Sequence, residues 1–178
     1  KQMALKSEGV IEQVDALFEI KKSPNLHAAE GLVKITMPNT FGQQYLLPAL
    51  TDFIKEHPGI QLDLRFSNLI DNVVADQMDI GVRVGFFSNN RNVARRVNEM
   101  KFYIVGTPEL VAKTGVPQQV NDLFQMPYTG LIDQNTGRMW PWTFANAPDF
   151  FPASAKFITD DPEAELAAVL AGIGYSQV

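Results

Sequence analysis

The sequence predicts an α/β protein with a largely parallel sheet. Short apolar strands alternate with amphipathic helices, and in each half of the chain a polar residue pair ends a strand and opens a helix. The 178 residues, 46% of them hydrophobic and 20% charged, suffice for one large domain or two small lobes with modest cores. This composition excludes a disordered or collagenous chain.

The net charge of −5 argues against direct DNA or RNA binding, because such binding begins with neutralised phosphates. The sequence has no cysteine, which excludes a disulfide scaffold, a thiolate nucleophile and a Cys-ligated metal site. No apolar run approaches the roughly 18 residues of a membrane span, and the N-terminus lacks a signal-peptide core. We therefore expect a cytoplasmic protein without membrane contact.

The first twenty residues have the pattern of an amphipathic helix, with Val10, Val14 and Leu17 at i, i+4 and i+7. Such a helix can pack on a partner helix or on its own domain, and the residues leave both possibilities open. Residues 21–30 contain proline and polar residues without periodicity, so they are predicted to form a linker.

A strand, helix and strand pattern follows the linker. The first strand ends at Pro38, and the helix is predicted to run to His57, with Thr40 and Gln43 as a capping box. Pro48 predicts a kink or a short first turn in this helix. Alternating apolar residues predict a strand over residues 60–66, and further elements are a short helix at 72–77 and a strand at 80–84.

The second half repeats the alternation. Strands are predicted at residues 93–97, 102–105, 128–132 and 155–158, with helices from Pro108 to about 114, near 117–123 and from Pro162 onward. The chain stops at residues 175–178 in what resembles an unpaired strand, which predicts a fold truncated at the C-terminus.

Sequence motifs for catalysis are missing. The chain has no GxxxxGK[ST], GxGxxG or GxSxG motif, and its two imidazoles, His27 and His57, lie far apart. The adjacent Asp160 and Asp161 are expected as helix caps rather than as a catalytic pair. We therefore predict neither an enzyme nor a bound cofactor or metal.

Two helix starts are the informative places, Asn39-Thr40 and Thr159-Asp160. In open α/β sheets, ligands bind beyond the carboxyl ends of the strands, where backbone N–H groups and hydroxyls converge. Capping of the helix is the alternative role, and the two roles are compatible.

Three stretches resemble the effector-binding domain of LysR-type transcriptional regulators. They are GLVKITMPNTFGQQYLLPALTDFIKEHPGIQLDL, ADQMDIGVRVG and NVARRVNEMKFYIVGTPELVAKTGVPQQVNDL, in that order over residues 31–123. Later segments, GRMWPWTF and residues 163–174, also match the family's pattern. No single motif is specific, but the ordered set is.

The resemblance implies a two-lobed fold of the periplasmic-binding-protein type II kind, with lobes at residues 31–95 and 96–178, the second incomplete. It implies that residues 1–30 hold the end of a linker helix and that promoter DNA is bound only by a winged helix-turn-helix module absent from this chain. A small-molecule effector would bind between the lobes, and the protein would be a homodimer or homotetramer.

Carried across by position, the effector-binding residues are Asn39, Thr40, Arg83, Thr129 and Thr159. Threonines at helix starts favour a small polar or anionic effector. The resemblance also pairs the helix that follows Thr40 with the late helix of a second subunit, through Leu47, Leu50, Thr51, Ile54, Leu166 and Leu170.

Two other classes share this scaffold. A transport-type solute-binding protein would carry a signal peptide rather than a helical N-terminal extension, and an enzyme would need an acid–base pair in the cleft. The sequence preceding Lys1 would discriminate between the regulator and the transport protein.

Overall fold

The computed structural model describes residues 29–69, 77–85 and 93–178. These residues form two compact units that divide between Glu99 and Met100, a few residues after the expected lobe boundary. The predicted N-terminal helix, most of the linker and most of the predicted helix at 72–77 lie outside the described residues. Among the helices that the structure describes, none has both the length and the apolarity required to cross a membrane.

The first unit contains a parallel sheet in the order β2-β1-β3. Strands β1 (Gly31–Met37) and β2 (Ile60–Phe66) pair along their full length, and β3 (Ile80–Gly81) pairs with the end of β1. The predicted strand over residues 80–84 is therefore shorter than expected. Because all three strands are parallel, their carboxyl ends lie at one edge of the sheet.

The helix after β1 has three parts: α1 (Asn39–Phe41), a π-helical turn (Gly42–Leu46) and α2 (Leu47–Glu56). The predicted capping box is wrong, because Pro38 occupies the N-cap position and places Thr40 inside the helix. Gln43 instead donates its side-chain amide to the Asn39 side chain. The π-helical turn immediately precedes Pro48, whose missing N–H is tolerated in the first turn of α2.

The core of the first unit lies between this helix and the sheet. Its fully buried residues are Ile35, Met37, Leu46 and Leu50, and partly buried apolar side chains from β2 pack against them. Gly42 permits the close approach of helix and strand, since a Cβ atom there would lie 2.5 Å from Met37 Cγ.

The second unit has a mixed sheet. Strand β5 (Thr129–Asp133) pairs with β7 (Phe157–Thr159) in parallel and with β6 (Arg138–Met139) antiparallel. Strand β4 (Ile104–Val105) pairs antiparallel with β8 (Ser176–Gln177), and a parallel bridge from Tyr175 to Tyr128 joins the two parts. The final strand is thus paired, contrary to the expectation from sequence.

Two capped helices and a 3₁₀ helix (Val120–Gln125) complete the second unit. Thr107 caps α3 (Pro108–Thr114), and Asp161 caps α4 (Pro162–Leu170) by accepting a hydrogen bond from Ala164 N at 2.8 Å. The buried core residues are Leu110, Leu123, Tyr128, Trp142, Phe150 and Tyr175.

In the second half, one predicted strand is absent and one observed strand was not predicted. Residues 93–97 do not form a strand, and all of them are exposed without a paired neighbour among the described residues. Local sequence predicted that strand, but a strand also requires a partner. Conversely, β6 is a two-residue strand that returns from a turn after Asp133, and a strand this short shows no period in the sequence.

Candidate functional site

The carboxyl ends of β1, β2 and β3 form a polar edge, which we call the first edge (residues 38–40, 67–69 and 82–83). Ser67 N donates to Met37 O at 2.8 Å, which extends the pairing of β1 and β2 by one residue. Asn39 N donates to Asn68 Oδ1 at 3.3 Å. The start of α1 and the turn after β2 are therefore joined by an asparagine side chain.

Two of the predicted site residues, Asn39 and Thr40, lie on the first edge. Asn39 is exposed and Thr40 is half-buried as the second residue of α1. The start of α1 has no side-chain cap, and the Thr40 hydroxyl makes no hydrogen bond within the described part of the chain. A hydroxyl in this state can donate to or accept from a ligand.

Arg83 also belongs to the first edge, with its guanidinium directed into the unit. Its Nη1 donates to Val82 O at 2.7 Å, and its Nη2 donates to Thr36 Oγ1 and to Leu69 O, both at 3.0 Å. Burial lowers the pKa of Arg83, because desolvation disfavours the charged form. All three acceptors are neutral, so these bonds place a cation at the edge without neutralising it.

The second unit has a corresponding second edge (residues 133–134 and 159–161) at the carboxyl ends of β5 and β7. Thr159 Oγ1 accepts a hydrogen bond from Asp161 N at 3.1 Å. Gln134 Nε2 donates to Asp160 Oδ2 at 3.1 Å, which ties the ends of the two strands together. Thr159 is therefore on this edge, but its hydroxyl is already used in a local turn.

Asp133 at the end of β5 is ionised more readily than an ordinary aspartate. Burial raises its pKa, but hydrogen bonds donated by Asn135 N, Asn135 Nδ2 and Thr136 Oγ1 outweigh that effect and lower the pKa overall. The second edge consequently carries negative charge.

Thr129 does not belong to either edge, which corrects the position carried over from the family. It lies at the amino end of β5 and is fully buried. Its hydroxyl donates to Glu165 Oε1 at 2.7 Å, and Tyr175 O lies 3.3 Å away. The hydroxyl thus serves a buried carboxylate of α4 and is closed to a ligand.

The residues predicted for a dimer interface differ in exposure. Leu50 is 2% exposed and belongs to the core of the first unit, so it is not available to a partner. Leu47 and Ile54 are half-buried, and Thr51 is exposed. On α4, Leu166 and Leu170 are 38% and 70% exposed, respectively.

Sequence reasoning missed several polar residues of the edges. Ser67 and Asn68 follow a strand that the sequence located correctly, and the rule that ligands bind beyond strand ends would have found them. Gln134 follows β5 in the same way. Thr36, buried inside an apolar strand, gives no such signal. Among the described residues, no group of His, Asp and Glu is placed to hold a metal ion.

Comparison with known proteins gives a consistent result. The family model of the LysR substrate binding domain matches residues 27–178. An HTH-type transcriptional regulator of Xanthomonas campestris is 26% identical over 168 residues, which cover 92% of this chain and 47% of that protein. The uncharacterized HTH-type transcriptional regulator YcaN of Escherichia coli is 29% identical and is covered to 48%. The chain thus spans about half the length of these relatives.

Solved structures agree on the fold. CrgA, a LysR-type transcriptional regulator from Neisseria meningitidis, matches 99% of this chain and 57% of its own, with a TM-score of 0.71 and 21% identity. The effector domain of the transcriptional regulator AmpR of Pseudomonas aeruginosa matches 83% of this chain and 70% of its own, with a TM-score of 0.62 and 25% identity.

Proposed function

We propose that this chain, which belongs to the LysR substrate-binding domain family, is the effector-sensing and oligomerising domain of a DNA-binding transcription regulator. The observation that carries the proposal is the first edge, where Asn39, Thr40 and Asn68 bring polar groups together beyond three parallel strands. This is the place where open α/β sheets bind ligands.

The effector is a small polar or anionic molecule that contacts the first edge through Asn39 and Thr40. The hydroxyl of Thr40 and the amide of Asn39 supply hydrogen-bond donors and acceptors. The positive charge of Arg83 favours an anionic group at the first edge.

Promoter DNA is bound by a helix-turn-helix module outside this chain. The net charge of −5 supports the assignment of DNA binding to a separate module, because an acidic domain does not attract phosphates. The protein acts in the cytoplasm, where a bacterial regulator meets its promoter. An electrophoretic mobility shift with submicromolar affinity at physiological salt, obtained with this chain alone, would contradict the proposal.

Two-fold pairing of α2 with α4 of a second subunit supplies the oligomer. Leu47, Thr51 and Ile54 would contact Leu166 and Leu170, which are exposed on α4. A two-fold axis forms each contact twice, so one substitution changes two contacts in the dimer. We expect Thr51→Glu to dissociate the dimer in sedimentation experiments, and a wild-type chain that is monomeric at tens of micromolar would contradict this interface.

The binding site is tested by calorimetry on variants of the two edges. A thermal-shift screen with acetate, succinate, glutamate, inorganic phosphate and glucose selects a binder. Thr40→Val removes a hydroxyl without a partner among the described residues and should weaken binding of that molecule by about 1–3 kcal/mol. Thr159→Val removes a hydroxyl that is engaged in a turn of the second edge and should leave binding unchanged. Thr143→Val, at an exposed threonine outside both edges, is the matched control. Unchanged affinity in Thr40→Val would show that the site is misplaced.

A further inference from the structure

The Arg83 side chain hydrogen-bonds to the end of β1, to the turn after β2 and to the residue that follows β3. We infer that Arg83 is a positioning residue, which holds the turn after β2 in place so that Asn68 stands beside Asn39 in the ligand site. This inference rests on the proposed function, and it assigns Arg83 a role other than direct contact with the effector.

The hydrogen bonds of Arg83 reach three separate chain segments. Thr36 lies near the end of β1, Leu69 lies in the turn after β2, and Val82 lies just after β3. These acceptors are separated from Arg83 by 47, 14 and 1 residues along the chain, respectively. One rigid guanidinium therefore ties the end of β1 and the turn after β2 to the segment that follows β3.

The burial and hydrogen bonds of the Arg83 guanidinium favour a structural role over direct contact with the ligand. Arg83 Nε is buried and has no hydrogen-bond partner among the described residues, so this nitrogen is closed to an incoming molecule. The observed bonds of the two Nη atoms all go to atoms of the first unit. A bidentate grip on a ligand carboxylate through Nε and Nη is thus blocked.

The turn that Arg83 holds carries a candidate ligand-binding residue. Leu69 O accepts from Arg83, while Leu69 N donates to Ser67 Oγ at 3.2 Å. Asn68, between them, accepts from Asn39 N through its side-chain oxygen. Loss of the Arg83 bond releases one end of this turn, and the Asn39–Asn68 contact loses its support.

Lysine cannot replace arginine in this role. Arg83 uses two nitrogens that are held in one plane, whereas lysine offers one nitrogen on a flexible chain. Arg83→Lys therefore retains the positive charge but loses at least one of the three bonds. Comparison of this variant with Arg83→Met separates the effect of the charge from the effect of the geometry.

Hydrogen exchange of the full chain tests the positioning without any ligand. In Arg83→Met and in Arg83→Lys, the Asn39 amide should exchange at least about tenfold faster than in the wild type, while the amide of Leu50 in α2 stays protected. A general loss of stability would instead accelerate exchange at both amides. Arg65→Met, which removes the surface guanidinium paired with Asp63, is the matched control and should leave Asn39 unchanged.

Ligand binding tests the functional consequence. For whichever of acetate, succinate, glutamate or inorganic phosphate binds the wild type and is weakened by Thr40→Val, Arg83→Lys should weaken binding about tenfold. Faster Asn39 exchange together with this loss supports the inference. Unchanged Asn39 exchange in Arg83→Met, or full affinity in Arg83→Lys despite faster exchange, overturns it. If none of the four anions binds, the proposed anionic class fails, and the positioning by Arg83 is decided by the exchange result alone.

Discussion

The two edges offer similar residues to a ligand but use them differently. On the second edge, Thr159 accepts from Asp161 N and Gln134 donates to Asp160, so these polar groups are engaged in local turns. On the first edge, the Thr40 hydroxyl has no partner within the described residues. We therefore expect Thr40, whose hydroxyl the local turn leaves unused, to contact a ligand, and Thr159 to serve its own turn.

The edges also differ in charge. The first edge contains Arg83, bonded to neutral acceptors, whereas the second contains Asp133, Asp160 and Asp161. From Met100 onward the sequence has eight acidic and four basic residues, and the part before it has twelve and eleven. We therefore expect the anionic part of an effector to bind to the first edge, because that edge carries a cation whereas the second edge carries carboxylates.

The largest expected effect is a loss of stability in the second unit, whose core is separate from that of the first. Phe150 is fully buried against Tyr128, Trp142 and Phe124 in the second unit, so Phe150→Ala should lower the free energy of unfolding of that unit by about 3–5 kcal/mol. Hydrogen exchange should show lost protection in β5 and α4. Because the core of the first unit shares no residue with this cluster, equal loss of protection in β1 would contradict the comparison.

The second prediction tests the reassignment of Thr129. Thr129→Val removes the hydroxyl that donates to the buried Glu165 carboxylate, and we expect a loss of about 1–3 kcal/mol in the free energy of unfolding. Denaturant titration measures this loss. Ligand affinity of the folded variant should be unchanged, and a variant that is stable but binds weakly would restore Thr129 to the site.

The two units show which structural features can be predicted from the sequence alone. A short apolar run that ends at Pro38 located β1, alternation located β2, and the Asp161-Pro162 pair located the start of α4, because each signal is local. The role of Arg83 depends on an acceptor 47 residues away, and the burial of Thr129 depends on α4. Neither contact leaves a local pattern in the sequence.

On the first edge, even contacts between residues close in sequence were not predicted. Thr40 and Gln43 fit a capping box by spacing, but the N-cap is Pro38, two residues before Thr40, and the helix begins at Asn39. Gly42, at the start of the π-helical turn over Gly42–Leu46, packs closely against Met37, and the spacing of residues reveals neither the turn nor this contact. The strand end was therefore predictable, whereas the state of the Thr40 hydroxyl was not.

A smaller effect is expected at the helix cap of the second edge. Asp161→Ala removes the acceptor for Ala164 N and should lower the free energy of unfolding by about 1 kcal/mol. Asp149→Ala is the control, because Asp149 is an exposed aspartate outside α4. Equal destabilisation by both substitutions, measured by thermal unfolding, would mean that loss of the helix cap does not explain the effect of Asp161→Ala.

The smallest effect concerns pH. Hydrogen bonds from Gln118 N, Gln119 N and Gln119 Nε2 lower the pKa of Asp122 below its usual value. A lowered pKa in the folded state stabilises the fold above the pKa of the unfolded chain, near 4, and this contribution is lost as the pH falls through the folded value. Asp122→Asn should therefore slightly lower the Tm at pH 7, with the difference disappearing in acid. A difference that is constant with pH would contradict this assignment.

The central claim is that a small polar or anionic effector binds to the first edge. An NMR titration of the full chain with the best binder from the screen tests it most directly, with the Asn39, Thr40 and Asn68 signals as reporters and Thr129 as the internal control. The account predicts saturable shifts at the three reporters and none at Thr129. Saturable binding that shifts other residues while leaving Asn39, Thr40 and Asn68 unchanged would contradict it.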